Sequence, residues 1–239
     1  MRRSIDPATL VVCARLPQPI RRGGGAWLDA AGRAAEVVTW SADIDTLADL
    51  AATARGRCPT PLELALSLQP DWLDSRSTLR RMVVAARQAC PGLTAAVLRG
   101  PRPLAHRSLL AEEGIQTVVV DVFGDAGRGS RRPAPTGWRC RNPVWGLWEV
   151  QVDPPRRSGF VGWLLDGSMP RARRGALHVL HAGDVPADRP LSGRLERWIS
   201  WAARREAAGL VRTARLADLP SLLAHGGQAP ISGSVLKAA

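Results

Sequence analysis

The sequence contains no tyrosine, two phenylalanines and a single lysine, Lys237, among its 239 residues. Its four cysteines (Cys13, Cys58, Cys90 and Cys140) lie far apart and form no C-x-x-C pair, which argues against a zinc knuckle or a dithiol redox motif. We therefore expect buried free thiols in a reducing environment.

Long apolar segments are also missing. No run approaches the roughly 20 apolar residues that a membrane-crossing helix needs. The apolar stretch near the N-terminus is interrupted at Cys13-Ala-Arg15 and is too short for the core of a signal peptide. We expect no membrane span and a cytoplasmic location.

The basic residues are abundant, giving a net charge of +12, and all but one of them are arginine. Such a surface attracts polyanions, whether nucleic acid, acidic glycan or anionic lipid. The arginines occur as scattered pairs, however, and no zinc-finger spacing, RNP-like segment or basic helix accompanies them. A nucleic-acid partner is therefore not expected.

Strand-like and helix-like segments alternate along the chain, and the composition, 45% hydrophobic, suits one sizeable core. This order predicts parallel strands with covered faces, in one barrel or a doubly wound sheet over residues 1–225. Between 124 and 143 we expect a long loop, and from 226 to 239 a flexible tail. The predicted strands are 9–14, 36–40, 62–68, 93–98, 115–121, 147–152, 176–180 and 210–214. Helices are predicted at 26–35, after caps at Ser41 or Asp43, after a cap at Ser77, and at 104–113, 191–208 and 217–223.

Several segments, in order, resemble the polysaccharide deacetylase (NodB-homology) family over roughly residues 8–224. They are Val38-Thr-Trp40, the strand 62–68 with Gln-Pro-Asp71 behind it, Arg99-Gly-Pro101, Gly146-Leu-Trp-Glu-Val-Gln-Val152 and Leu180-His181. The resemblance implies a single distorted β/α barrel. It also implies a divalent metal, commonly zinc, held by an aspartate and two histidines, which activates water to attack an N-acetyl group.

Under this resemblance His181 is the candidate acid that protonates the leaving amine, and Arg99 the second catalytic candidate. The metal ligands are absent. Cys13-Ala-Arg15 stands at the position of the paired aspartates, and Ser67 and Gln69 stand in the histidine strand. Arg15 would repel a cation, so we predict no metal ligands.

Other polar residues have competing explanations. Asp43 and Asp45 fit a helix N-terminus, where capping accounts for them. Asp121, His178 and Asp184 could converge on the carboxyl ends of the strands, and Asp184 is a candidate substrate-binding residue. His178 is also explained as a packed or bridging histidine. Trp145 and Trp148 could stack on sugar rings, or fill a core that has few other aromatic residues.

Two functions follow from these residues. The first is a carbohydrate N-deacetylase that has diverged in its metal site. The second is a non-catalytic relative that keeps Arg99 and His181 to bind a glycan or a protein. The empty ligand positions favour the second.

Overall fold

The computed structural model describes residues 7–17, 25–55, 57–58, 60–100, 102–122, 139–153, 175–186 and 193–225. Its strands are β1 (Ala8–Arg15), β2 (Val38–Ala42), β3 (Glu63–Leu68), β4 (Ala95–Arg99), β5 (Thr117–Asp121), β6 (Cys140–Val144), β7 (Leu147–Gln151), β8 (Leu177–Asp184) and β9 (Val211–Thr213). The helices are α1 (Gly25–Arg33), α2 (Ile44–Ala54), α3 (Arg76–Ala89), α4 (Arg107–Glu112), α5 (Gly193–Ala207) and α6 (Leu219–His225). Two 3₁₀ turns, Pro70–Asp74 and Leu216–Asp218, precede α3 and α6.

One sheet contains all these strands, in the order β6-β7-β5-β4-β3-β2-β1-β8, with β9 paired to β1. Every pairing is parallel except that of β6 with β7. The predicted α/β class and parallel sheet are confirmed. We expected a single distorted β/α barrel, and the sheet is curled into a half-barrel that does not close fully. Where its ends approach, the amide of Asp153 donates to the carbonyl of Val179 at 2.7 Å.

Strand β1 pairs with three other strands. On one edge, the Thr9 amide donates to the carbonyl of Ala176, next to β8. On the other edge, the Ala8 amide donates to Leu210, next to β9, and the Leu16 amide donates to Ser41 in β2. Because alternate amides of a strand point to opposite edges, β9 and β2 share one edge of β1. They divide it between the first and second halves of the strand.

Two apolar layers cover the two faces of the sheet. The layer inside the curl is built from small and β-branched side chains such as Val11, Val97 and Val119, closed at one end by Leu216 and Leu219. The larger layer lies between the sheet and the helices and contains Leu, Trp and Ala residues. Alternation along each strand therefore separates an inward set of residues from an outward set.

The helices largely follow the sequence prediction. Asp43 caps α2, because its carboxylate accepts from the amide of Thr46 at 2.9 Å. The predicted cap Ser77 of α3 is wrong: Ser75 precedes the helix, and its hydroxyl accepts from Thr78. No described helix is both long and apolar enough to cross a membrane.

One strand was not predicted. β6 occupies 140–144, at the end of the segment that we expected to be a loop. It contains Pro143 and little apolar surface, so its sequence shows no strand pattern. It pairs antiparallel with β7 at the edge of the sheet, where proline is tolerated. The rest of the expected loop up to 138, and the expected tail 226–239, lie outside the described residues.

The amino ends of the strands are closed by a polar contact. The Glu63 carboxylate at the start of β3 accepts from the backbone amides of Leu216 at 3.0 Å and Ala217 at 2.6 Å, and from the hydroxyl of Thr39. The Thr117 hydroxyl donates to the carbonyl of Leu216 at 3.1 Å. These bonds hold the 3₁₀ turn across the amino ends of the strands. The hydrogen bonds lower the pKa of the Glu63 carboxyl group, but burial has the larger effect and raises it.

We expect Glu63→Gln to lower the free energy of unfolding by about 1–2 kcal/mol, because an amide nitrogen cannot accept from a backbone amide. A raised folded-state pKa means that the stabilisation is complete below the unfolded pKa of about 4.3 and declines as pH rises through the folded pKa. The stability advantage of the wild type over Glu63→Gln should therefore shrink as pH rises through that range. Denaturant titrations at several pH values measure it.

The exposed Glu36 supplies the control, since Glu36→Gln should change stability by less than about 0.5 kcal/mol at every pH. An advantage that grows with pH would contradict the assignment at Glu63.

Candidate functional site

A buried pair of an aspartate and a histidine lies on the inward face of the sheet, at the carboxyl end of β5 and in the second half of β8. His181 Nδ1 is 3.1 Å from Asp121 Oδ2, and both side chains are buried. The Gly183 amide also donates to His181 Nδ1, at 3.3 Å. If Nδ1 carries the proton and donates to Asp121, Nε2 is an acceptor; if Nδ1 accepts from Gly183, Nε2 carries the proton and is a donor. Nε2 is buried and makes no hydrogen bond to any described residue. The predicted residue His181 is thus paired with Asp121 and has one nitrogen left for a ligand.

An irregularity in β8 brings Asp184 to the same side. Cys13 and Arg15, two residues apart in β1, are paired with His181 and Asp184, which are three residues apart in β8. The extra residue is a β-bulge, and Gly183 within it has φ = 82°. Without the bulge, period-2 alternation would turn Asp184 away from His181. The sequence Gly183-Asp184 therefore decides which side the carboxylate faces.

Two arginines share one oxygen of that carboxylate. Arg99 Nη1, from the end of β4, donates to Asp184 Oδ1 at 2.8 Å. Arg15 Nη1, from the end of β1, lies 3.6 Å from the same atom, which is an ion pair without a hydrogen bond. The Asp184 side chain is 45% exposed, whereas the Arg15 side chain is 23% exposed. Arg15 Nε is buried and has no hydrogen-bond partner among the described residues.

We call this group of five side chains the mouth site. It consists of Arg15, Arg99, Asp121, His181 and Asp184. The structure brings together the two predicted catalytic residues and Asp184. From the sequence, Arg15 is expected only to repel cations. Its pairing with Asp184, 169 positions away in the chain, depends on the bulge in β8.

The described side chains at the mouth site do not fit a divalent metal. In the described part of the chain, no three His, Cys, Asp or Glu side chains are grouped so that they could hold one. Cys13, opposite His181, is fully buried, and burial with the charges of Glu63 and Asp121 raises the pKa of its thiol. A neutral thiol is a poor ligand. Asp184 is already held by two guanidinium groups, so its carboxylate faces cations of the protein itself.

The two predicted sugar-binding tryptophans lie elsewhere. Trp145 is in the turn between β6 and β7, with 95% of its surface exposed. Trp148 is the second residue of β7 and is paired with Thr117, the first residue of β5. Both positions are at the amino ends of the parallel strands, whereas the mouth site is at their carboxyl ends. The structure does not bring either tryptophan to the mouth site.

The remaining polar candidates have structural partners. Asp45 is exposed in the first turn of α2, and Asp43 caps that helix. His178 Nδ1 lies 2.8 Å from Asp153 Oδ2, and Arg139 Nη1 donates to the other oxygen of Asp153 at 2.6 Å. His178 alternates with the inward Val179, so this contact joins the segment that follows β7 to β8 on the outer face, as a bridging histidine does.

Gly183→Ala should lower the free energy of unfolding by about 1 kcal/mol, because alanine is strained at a positive φ. An added Cβ would meet no atom within 4 Å, so a steric clash does not contribute. Gly92→Ala is the matched control, since Gly92 also has open space around it and no positive φ. Urea titrations of the two variants measure the difference. Equal stabilities would contradict the bulge geometry.

Comparisons with known proteins support the architecture and no more. No protein-family model matches the chain, and no curated protein matches it. Among solved structures it is similar to a protein from Mycobacterium smegmatis that is provisionally described as a polysaccharide deacetylase. The two share 13% identity at a TM-score of 0.50, over 94% of this chain and 92% of the other. At that identity the likeness concerns the fold, and the chain has a deacetylase-like α/β fold.

Proposed function

We propose that this protein is a relative of the polysaccharide deacetylases that binds a carbohydrate at the mouth site and does not hydrolyse it through a metal. The observation that carries the proposal is the buried Asp121–His181 pair, in which His181 Nε2 has no hydrogen-bond partner among the described residues. His181 Nε2 accepts or donates a hydrogen bond according to the tautomer of the ring, and sugar hydroxyl groups do both.

The charge at the mouth site supports binding rather than metal chemistry. Arg15 belongs to the segment Cys13-Ala-Arg15, which occupies the position where the resemblance implies the paired aspartates of the metal site. Arg15 and Arg99 place two fixed positive charges within reach of one carboxylate. A divalent cation would be repelled by both, whereas the planar guanidinium groups donate readily to the oxygens of an organic ligand.

A deacetylase that works without the ligand set implied by the resemblance is the second candidate. What favours it is again the Asp121–His181 pair, because a carboxylate that fixes an imidazole is a common acid–base arrangement. That candidate requires release of acetate from an N-acetylated oligosaccharide and loss of the release in His181→Ala. The binding proposal expects no release.

We expect at least one trisaccharide from a panel of neutral, N-acetylated and uronic acid trimers to bind the wild type in calorimetry. His181→Ala should weaken that binding about five- to tenfold, since one hydrogen bond to the ligand is lost. His178→Ala is the control, because it removes an imidazole from the outer face of the same strand. Binding by no trimer, or equal weakening by both variants, would overturn the proposal.

A further inference from the structure

The mouth site contains a second binding element besides His181, on the side of Arg15. Arg15 presents a buried Nε with no described hydrogen-bond partner, and its Nη1 stands beyond hydrogen-bond distance from Asp184. A buried guanidinium nitrogen without an acceptor is costly, and the large majority of buried side-chain polar groups in folded proteins have a hydrogen-bond partner. The missing partner is an acceptor, and the charge of arginine favours an anionic one.

The partner within the protein is only partly suited to that role. Asp184 gives one oxygen, Oδ1, to both arginines, and Arg99 holds it more closely, at 2.8 Å against 3.6 Å. The Asp184 side chain is also the most exposed of the three. A planar carboxylate can engage a guanidinium group through two parallel hydrogen bonds, and Arg15 makes no such bond here. A ligand carboxylate could therefore make the two parallel hydrogen bonds to the Arg15 guanidinium group that Asp184 does not make.

The spacing of the two elements suggests a single sugar. His181 is paired with Cys13, and Arg15 lies two residues further along β1, on the same inward side. Two residues of strand span about 7 Å, comparable to a pyranose ring with its substituents. A hydroxyl group at His181 Nε2 and a carboxylate at Arg15 are two features that one uronic acid residue carries together.

On these grounds we propose that the mouth site is specific for acidic saccharides of the uronic acid type. The ligand carboxylate binds Arg15, a ligand hydroxyl group makes a hydrogen bond with His181 Nε2, and Asp184 is the internal carboxylate with which the ligand competes. The net charge of +12 acts in the same direction, by attracting polyanionic glycans to the protein. This inference rests on the proposed carbohydrate function and names the chemical class of its ligand.

The test compares trimers of glucuronic, galacturonic and mannuronic acid with their carboxyl-reduced counterparts, which have the same linkages and no charge. Calorimetry at about 0.15 M salt limits long-range attraction. At least one acidic trimer should bind the wild type about tenfold more tightly than its reduced form. Arg15→Gln should remove that difference, because it weakens binding of the acidic trimer about tenfold more than binding of the reduced trimer.

Two further variants separate this site from general charge attraction. Arg81→Gln removes the same charge from an exposed position on α3 and should keep the preference for the acidic trimer. Asp184→Asn removes the competing carboxylate and should tighten binding of the acidic trimer several-fold. Equal losses in Arg15→Gln and Arg81→Gln, or weaker binding in Asp184→Asn, would overturn the inference.

The outcomes also distinguish this inference from the proposal on which it rests. If reduced trimers bind as tightly as acidic ones and His181→Ala still weakens both, the acidic preference is wrong and the carbohydrate function stands. If no trimer of either kind binds, both are wrong. Inorganic phosphate and sulfate serve as additional probes. If either ion binds as tightly as the acidic trimer, the mouth site is a simple anion site and the saccharide assignment is overturned.

Discussion

The pairing of β1 with β8 sets the positions from which the mouth site is built. These two strands are in parallel register from Thr9 to Cys13, and the register then shifts by one residue before Arg15 meets Asp184. The first part places His181 beside Cys13 on the inner side of the curl. The shift turns Asp184 toward the arginines. With a continuous register, His181 would keep its position, but the Asp184 carboxylate would face away from Arg15 and Arg99.

The two ends of the curled sheet carry different chemistry. At the amino ends, Glu63 accepts hydrogen bonds from the 3₁₀ turn at 216–218, and these contacts are part of the stability of the fold. At the carboxyl ends, Arg15 Nε and His181 Nε2 are buried without a described hydrogen-bond partner. Folds with parallel strands and helical connections bind their ligands at the carboxyl ends of the strands, so these two nitrogens lie where a ligand would be expected. Trp145 and Trp148 lie at the amino ends of the strands, away from the mouth site.

The sequence predicts much of the fold, because the central strands are apolar runs bounded by proline, glycine or capping residues. Eight of the nine strands lie where the pattern indicates, and β6 is missed because a polar edge strand with Pro143 has no such pattern. The curl is not predictable from local periodicity, since it depends on how the strands stagger. For the mouth site, resemblance indicated His181 and Arg99. The contact of Arg15 with Asp184 requires a bulge whose only local signal is the glycine at 183.

The claim on which this account depends is that the mouth site takes an organic ligand in place of a metal ion. Calorimetric titration of the metal-stripped protein with Zn²⁺ and Co²⁺, beside His181→Ala, tests it most directly. The account predicts no micromolar site that His181→Ala weakens, since Arg15 and Arg99 repel a cation and the described donors do not form a ligand set. A single tight site in the wild type, lost in His181→Ala, would contradict the account and restore a metal-dependent deacetylase.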